Sequence, residues 1–179
     1  LGTTRGTAFH KVMEVLPFEQ FEDKEEISPE IVQKAMEEQA ECGKLPKEYI
    51  PLVSVSKVVH FTNSSLGKRM IKAAKEDKLY KEQPFVYGIA ADRLNKEFPA
   101  TETVLIQGII DAYFEEDDKV VLLDYKTDVI DSEEALVKRY QVQLDYYAEG
   151  LEKLLSKPIA DIVIYSFYFE KEIKLQKSK

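Results

Sequence analysis

The chain has 179 residues, 44% of them hydrophobic and 32% charged, which is enough apolar material for one compact core and excludes a collagen-like, repetitive or disordered polypeptide. Its 33 acidic residues against 25 basic ones leave a formal charge of −8, so bulk electrostatics does not grip nucleic acid and any such binding needs a local basic groove or a larger assembly that delivers the substrate. A single cysteine, Cys42, excludes an internal disulfide, a four-cysteine zinc site and a four-cysteine iron–sulfur cluster in this chain.

Ala8, Phe9, Val12, Met13, Val15 and Leu16 recur at helical spacing and predict a first helix over 3–16, stopped by Pro17. An acidic connector over 19–26 leads to Ser28-Pro29-Glu30, a helix start with proline at the first helical position, and Gly43 and Pro46 end that helix near Cys42. Ser54 and Asn63 cap two short helices at about 54–61 and 64–75. Extended segments follow at 79–89, with Pro84 inside, and then at 103–114 and 120–125, parted by Glu115-Glu116-Asp117-Asp118 as a hairpin turn. Asp131 with Glu134 resembles a capping box for a long helix whose stripe is Leu136, Tyr140, Leu144, Tyr147, Leu151 and Leu154. A last strand over 159–169 precedes a lysine-rich tail. The order predicts one α/β or α+β domain over 1–179. No apolar run reaches the roughly 20 residues of a membrane span, and no signal peptide is visible. The expected setting is a reducing cytoplasm, and the start at Leu1 reads as a domain excised from a longer protein.

A two-residue turn at Asp117-Asp118 places Asp111 opposite Asp124, because 111 and 124 sum to the same 235 as 117 and 118. Opposed carboxylates repel unless a cation bridges them, and Mg²⁺ is suited to carboxylate oxygens. Lys126 shares a strand face with Asp124 by the period of two. Two acids and an ammonium at one spot suit phosphodiester hydrolysis, in which a metal generates hydroxide and the lysine orients it or stabilises developing charge. The bland alternative is a solvated hairpin with a surface ion pair. The apolar surroundings, Val104 to Ile106, Ile109, Ile110 and Val120 to Leu123, argue instead for strands buried on both faces. His10 offers a third ligand or is merely a satisfied surface residue, and Glu82 either joins the site or solvates a sheet edge. Gln143 and Tyr147, four apart, share a helix face, although Tyr147 also fits the apolar stripe. Asp124, Lys126 and Asp128 do not make an EF-hand, because lysine occupies the third ligand position. Lys68, Arg69, Lys72 and Lys75 form either a basic stripe or a solvated face. A Walker-type phosphate loop is absent, so the chain carries no ATP site.

In order along the chain, Gly6 to His10 reads G-x-x-x-H, Glu82 to Phe85 E-x-P-F, Gly108 to Asp111 G-x-x-D, Asp124 to Asp128 D-Y-K-T-D and Gln143 to Tyr147 Q-x-x-x-Y. Together these motifs resemble the RecB-family nuclease domain of the PD-(D/E)xK superfamily, and within it the C-terminal nuclease domains of AddA-type helicase–nuclease subunits. The resemblance implies a restriction-endonuclease-like α/β core with a mixed central sheet flanked by helices. It implies a metal-dependent deoxyribonuclease in which His10, Asp111, Asp124 and the backbone carbonyl of Tyr125 hold Mg²⁺ or Mn²⁺. Asp111, Asp124 and Lys126 are then catalytic, and Glu82, Gln143 and Tyr147 support substrate or site. It further implies single-stranded DNA fed by a helicase portion of the same polypeptide, 3′ to 5′ exonuclease action in recombinational break repair, an AddB-like heterodimer partner and a bacterial cytoplasmic, nucleoid-associated setting. Cys42 alone separates the chain from the iron–sulfur-bearing relatives. The runner-up is a noncatalytic DNA-binding or docking domain, and a hydrolase of another substrate predicts a small closed pocket.

Overall fold

The computed structural model describes residues 2–177, so the last two residues of the expected lysine tail lie outside it. Among the described residues, five α-helices, α1 (Gly2–Val15), α2 (Pro29–Glu41), α3 (Val55–Asn63), α4 (Ser65–Lys75) and α5 (Glu133–Leu155), accompany five strands, β1 (Leu79–Ala90), β2 (Thr103–Glu116), β3 (Lys119–Lys126), β4 (Ile159–Ser166) and β5 (Lys171–Leu175). The strands form one sheet in chain order, antiparallel except for the parallel β3–β4 pair. Parallel neighbours need a crossover, and α5 supplies it.

Two cores flank the sheet. Helices α1 to α4 bury Phe9, Val12, Met36, Phe61 and Met70 against Phe114, Val121, Leu123 and Tyr125 on one face. Helix α5 buries Leu136, Leu144 and Leu151 against Val120, Leu122, Ile162 and Ile164 on the other. The unbroken apolar run Val120–Leu123 is what a strand covered on both faces requires. The architecture is therefore an α/β domain, as the element order predicts, with the mixed sheet flanked by helices that the resemblance implies.

Local chemistry sets most boundaries. Ser28 Oγ accepts the Ile31 amide hydrogen with Pro29 at the first position of α2, and Ser64 caps α4 through Gly67. Asp117 and Asp118 both adopt left-handed φ, 51° and 57°, as a two-residue type I′ hairpin turn demands. Glu115 and Glu116 belong to β2, so the turn is shorter than the acidic tetrad. The cap of α5 is Ser132, whose Oγ accepts the Ala135 amide, and not Asp131. The expected final strand is two: the chain turns after Ser166, with Glu170 at φ 54°, and returns as β5. Lysines at 171 and 174 mask the alternation of buried Ile173 and Leu175, a usual disguise of edge strands.

The expectation that β2 is buried on both faces holds only for its second half. β3 pairs β2 over 112–116 alone, while β1 continues beside β2 to Thr103. Residues 83–90 and 103–110 thus form a ribbon reaching past the sheet. One side lies on α5; the other leaves Val86, Leu105 and Ile109 at 63%, 56% and 57% exposure.

Lys81 of β1 is held under α1, its ammonium donating to the Leu16 carbonyl at 2.9 Å and lying 4.9 Å from the Phe18 ring centre. Burial lowers its pKa from 10.5 to about 8. The unfolded chain then binds more protons between about pH 8 and 10.5, so stability rises with pH through that window. Lys81→Met is expected to stabilise the chain by roughly 1–3 kcal/mol at pH 7 and to flatten that rise. Chemical denaturation at pH 7, 9 and 10.5 checks both, and an unstable or equally pH-sensitive variant refutes the assignment.

Candidate active site

The site lies where β2 leaves β3. Hydrogen-bonded pairing ends at Ala112–Leu123, so the register places Asp111 and Asp124 opposite one another, one step past the last pair. The Tyr125 amide donates to Asp111 Oδ2 at 2.8 Å. On the other side of Asp111, the ladder with β1 runs from Lys81–Ala112 to Gln83–Ile110 and skips Glu82.

Glu82 has φ 48°, in the left-handed region that costs a non-glycine residue roughly 1–2 kcal/mol. Strand side chains normally alternate. Here Lys81 touches the α1 side and Glu82 lines a cleft on that same side, while Asp111 lines it next to Ala112 of the first core. Beyond this level Phe85 and Ile110 face α5. The half-turn of the two strands thereby brings both acids towards α1.

From α1, His10 closes the cluster. Its Nε2 lies 3.2 Å from Asp111 Oδ2 and its Nδ1 2.8 Å from the Gly6 carbonyl. Burial disfavours the charged ring, yet the hydrogen bond and charge of Asp111 outweigh it and raise the pKa to about 9. Burial likewise works against the Asp111 carboxylate, and the His10 and Tyr125 donors hold it below its ordinary value. A Cβ on Gly6 would meet Thr127 Oγ1 at 3.0 Å, so glycine lets α1 approach the strand carrying Asp124 and Lys126.

Asp124 is the uneasy member. Its Oδ2 is 3.0 Å from Lys126 Nζ, but the angle makes no hydrogen bond, and that oxygen is buried with no hydrogen-bond partner. Burial, then the charge of Asp111, pushes its pKa up to about 7 against the pull of Lys126. Lys126 is held above its ordinary value by Asp124 despite burial, and its Nζ sits 3.9 Å from the centre of the Tyr140 ring. Tyr140 Oη and Arg139 Nη1 each donate to Asp128 Oδ2 at 2.9 Å.

Glu82, raised by burial and by Asp111, joins His10, Asp111, Thr127 and Tyr140 in a cleft of about 1070 Å³. This volume does not match the small closed pocket expected of a hydrolase of another substrate. Gln143 is exposed and donates to Tyr147 Oη at 3.3 Å. Tyr147 packs on Phe85, and a Cβ on Gly108 would meet its hydroxyl at 1.7 Å. The pair stands on α5 against Gly108 and, like Asp124 and Lys126, is not among the cleft-lining residues; the charges of Asp124, Lys126 and Asp111 nevertheless act on the Tyr147 hydroxyl. Tyr140 is the residue that sequence reasoning left in the apolar stripe; the signal was its spacing, three before Gln143 and seven before Tyr147 on one helix face. The basic stripe on α4 is partly neutralised, with Arg69 on Glu116 and Asp161 and Lys75 on Glu22.

Among the described residues no three His, Cys, Asp or Glu side chains converge as a ready metal cage. The donor set still fits a hard divalent cation: two carboxylates and an imidazole meet there, and the buried Asp124 Oδ2, though ion-paired with Lys126, accepts no aligned hydrogen bond. No helix among the described residues is long and apolar enough to cross a membrane.

A model of the PD-(D/E)XK nuclease superfamily matches residues 1–179. The ATP-dependent helicase/nuclease A subunit of Clostridium novyi strain NT is 38% identical over 98% of this chain and 14% of its own length. Its namesake in Clostridium perfringens strain SM101 is 37% identical over 97% and 14%, and that of Lachnoclostridium phytofermentans 33% identical over 98% and 15%. The chain thus spans about one seventh of the curated relatives it matches.

Proposed function

Because the chain belongs to the PD-(D/E)XK nuclease superfamily, we propose that it is a Mg²⁺- or Mn²⁺-dependent deoxyribonuclease unit that hydrolyses single-stranded DNA. The observation carrying this reading is the buried pair of facing carboxylates, Asp111 and Asp124, the latter's Oδ2 ion-paired with Lys126 but accepting no aligned hydrogen bond, with His10 at the same spot. In it, His10, Asp111, Asp124 and the Tyr125 carbonyl hold the ion. A divalent cation held there would supply Lewis-acid activation of a phosphoryl oxygen and of a water.

The chain's own residues supply the rest. Lys126, charged at neutral pH, orients the attacking water and balances charge on the phosphoryl oxygens. The Tyr125 amide and the His10 ring each hold the Asp111 carboxylate in place. Glu82 borders the substrate, and Tyr147, held by Gln143, supports the site within reach of the charges of Asp124 and Lys126. Since the matched relatives are helicase/nuclease subunits in their entirety, the reading places this unit with a helicase portion of the same polypeptide and an AddB-like partner. The helicase feeds it single strands for 3′ to 5′ digestion in bacterial break repair, in the cytoplasm at the nucleoid.

Hydrolysis of end-labelled single-stranded DNA in Mg²⁺, Mn²⁺ or EDTA tests it. Cleavage is expected with either ion, none in EDTA, and none from Asp111→Asn. Cleavage that persists in EDTA or in the variant overturns the metal reading. A chain inert both alone and within the full helicase–nuclease overturns the enzymatic one.

A further inference from the structure

The second acid of the D-Y-K-T-D segment has no part in the chemistry above, and neither does Tyr140, yet the two are bonded to each other beside Lys126. We propose that Tyr140 is the positioning residue for Lys126, a rigid ring pinned by Asp128 on which the lysine ammonium rests. This assignment rests on the reading of Lys126 as a catalytic group.

A lysine head ends a stem with four rotatable bonds and holds a fixed place only if both its sides are occupied. On one side of Lys126 stands Asp124 Oδ2 at 3.0 Å, in a contact too poorly aligned to be a hydrogen bond. On the other stands the Tyr140 ring, its centre 3.9 Å from Nζ, well within the reach of a cation–π contact. A carboxylate that shares its charge with an ion attracts the lysine less, so the ring becomes the hold that persists. The ring itself does not swing, because Tyr140 Oη donates to Asp128 Oδ2 at 2.9 Å and Arg139 secures the same oxygen at 2.9 Å. Asp128 lies in the segment just after β3 and Tyr140 on α5, so the clasp ties the strand bearing Lys126 to the crossover helix. Half-burial of the ring keeps water from competing for the ammonium face.

Kinetics and NMR together test this, with Lys126→Met as reference. Tyr140→Leu is expected to lower kcat for single-stranded DNA about 10- to 100-fold, the scale of a misplaced catalytic group, with KM changed less than about twofold. Tyr140→Phe keeps the ring and loses its pin on Asp128, so kcat recovers to within about threefold of wild type and the remaining deficit is the part owed to the pin. Combining Tyr140→Leu with Lys126→Met adds nothing to Lys126→Met alone. Unchanged kcat in Tyr140→Leu, a change confined to KM, or effects that multiply in the double variant each overturn the proposal. The NMR arm does not depend on activity: the Lys126 ε-methylene protons are shifted upfield by the ring in wild type and Tyr140→Phe, and return to ordinary positions in Tyr140→Leu. An ordinary shift in wild type overturns the proposal even if the chain cleaves DNA. An upfield shift in a chain that is inert both alone and within the full helicase–nuclease leaves the clasp standing and removes the nuclease reading instead.

Discussion

Asp124→Asn is expected to extinguish DNA cleavage and, in the same protein, to raise its resistance to unfolding. The charge is what a divalent cation binds, and asparagine offers a weak neutral oxygen in its place; a loss of at least about 1,000-fold is the expected scale for an electrostatic centre of this kind. Stability moves the other way because burial and the facing charge of Asp111 disfavour the carboxylate by more than its ion pair with Lys126 favours it. The sign follows from linkage. The folded pKa, about 7, lies above the ordinary 3.8, so folding favours the protonated acid, and the cost of ionising it grows from about pH 4 to 7 and is full above that. At 1.36 kcal/mol per unit, the gain from asparagine at pH 8 is roughly 1–4 kcal/mol, shrinking towards zero near pH 4. Melting in EDTA at both pH values, with cleavage in Mg²⁺, reads the two effects. An active variant, or one destabilised at pH 8, contradicts the account of this site.

Replacing Lys126 is expected to cost activity almost as heavily and to cost stability as well. Lys126→Met preserves the length of the stem but removes the cation 3.0 Å from Asp124, deepening the isolation of a buried carboxylate, which is costly once its partner is gone. Cleavage should fall about 100- to 10,000-fold, and the melting temperature in EDTA should drop at pH 8, where Asp124 is charged. Lys126→Arg is not expected to rescue, because a planar fork does not reproduce an ammonium seated between a carboxylate and the Tyr140 ring. Restoration by arginine, or a methionine variant that cleaves DNA normally, would show that Lys126 serves only as a counter-ion.

Much of this site is legible from residues alone. The hairpin register followed from the Asp117-Asp118 turn, since Glu116 pairs with Lys119 and each step preserves the sum, and that arithmetic put Asp111 opposite Asp124. What escaped depended on backbone or tertiary context. A glutamate at positive φ announces nothing in a sequence, so the turning of the strands at Glu82 was invisible. Tyr140 fits an apolar stripe as well as it fits a cation, and only its neighbours decide. The edge strand β5 hid behind lysines, and the apolar residues of the ribbon, Val104 to Ile109, promised burial that the short β2–β3 pairing does not deliver.

The turning of β1 and β2 has a consequence for chain length. Both strands set two consecutive residues on one side at the same level, Lys81 with Glu82 and Asp111 with Ala112, and because both do so the ladder beyond stays in step. Each strand therefore behaves as if it had gained one residue relative to a plain hairpin, a matched pair of insertions occupied by acids. Removing Glu82 alone, or Asp111 alone, slips the outer ribbon by one residue and mismatches every partner from Gln83 onward. Removing both restores simple alternation, keeps Phe85 and Ile110 against α5, and leaves a scaffold that folds without the means to do chemistry.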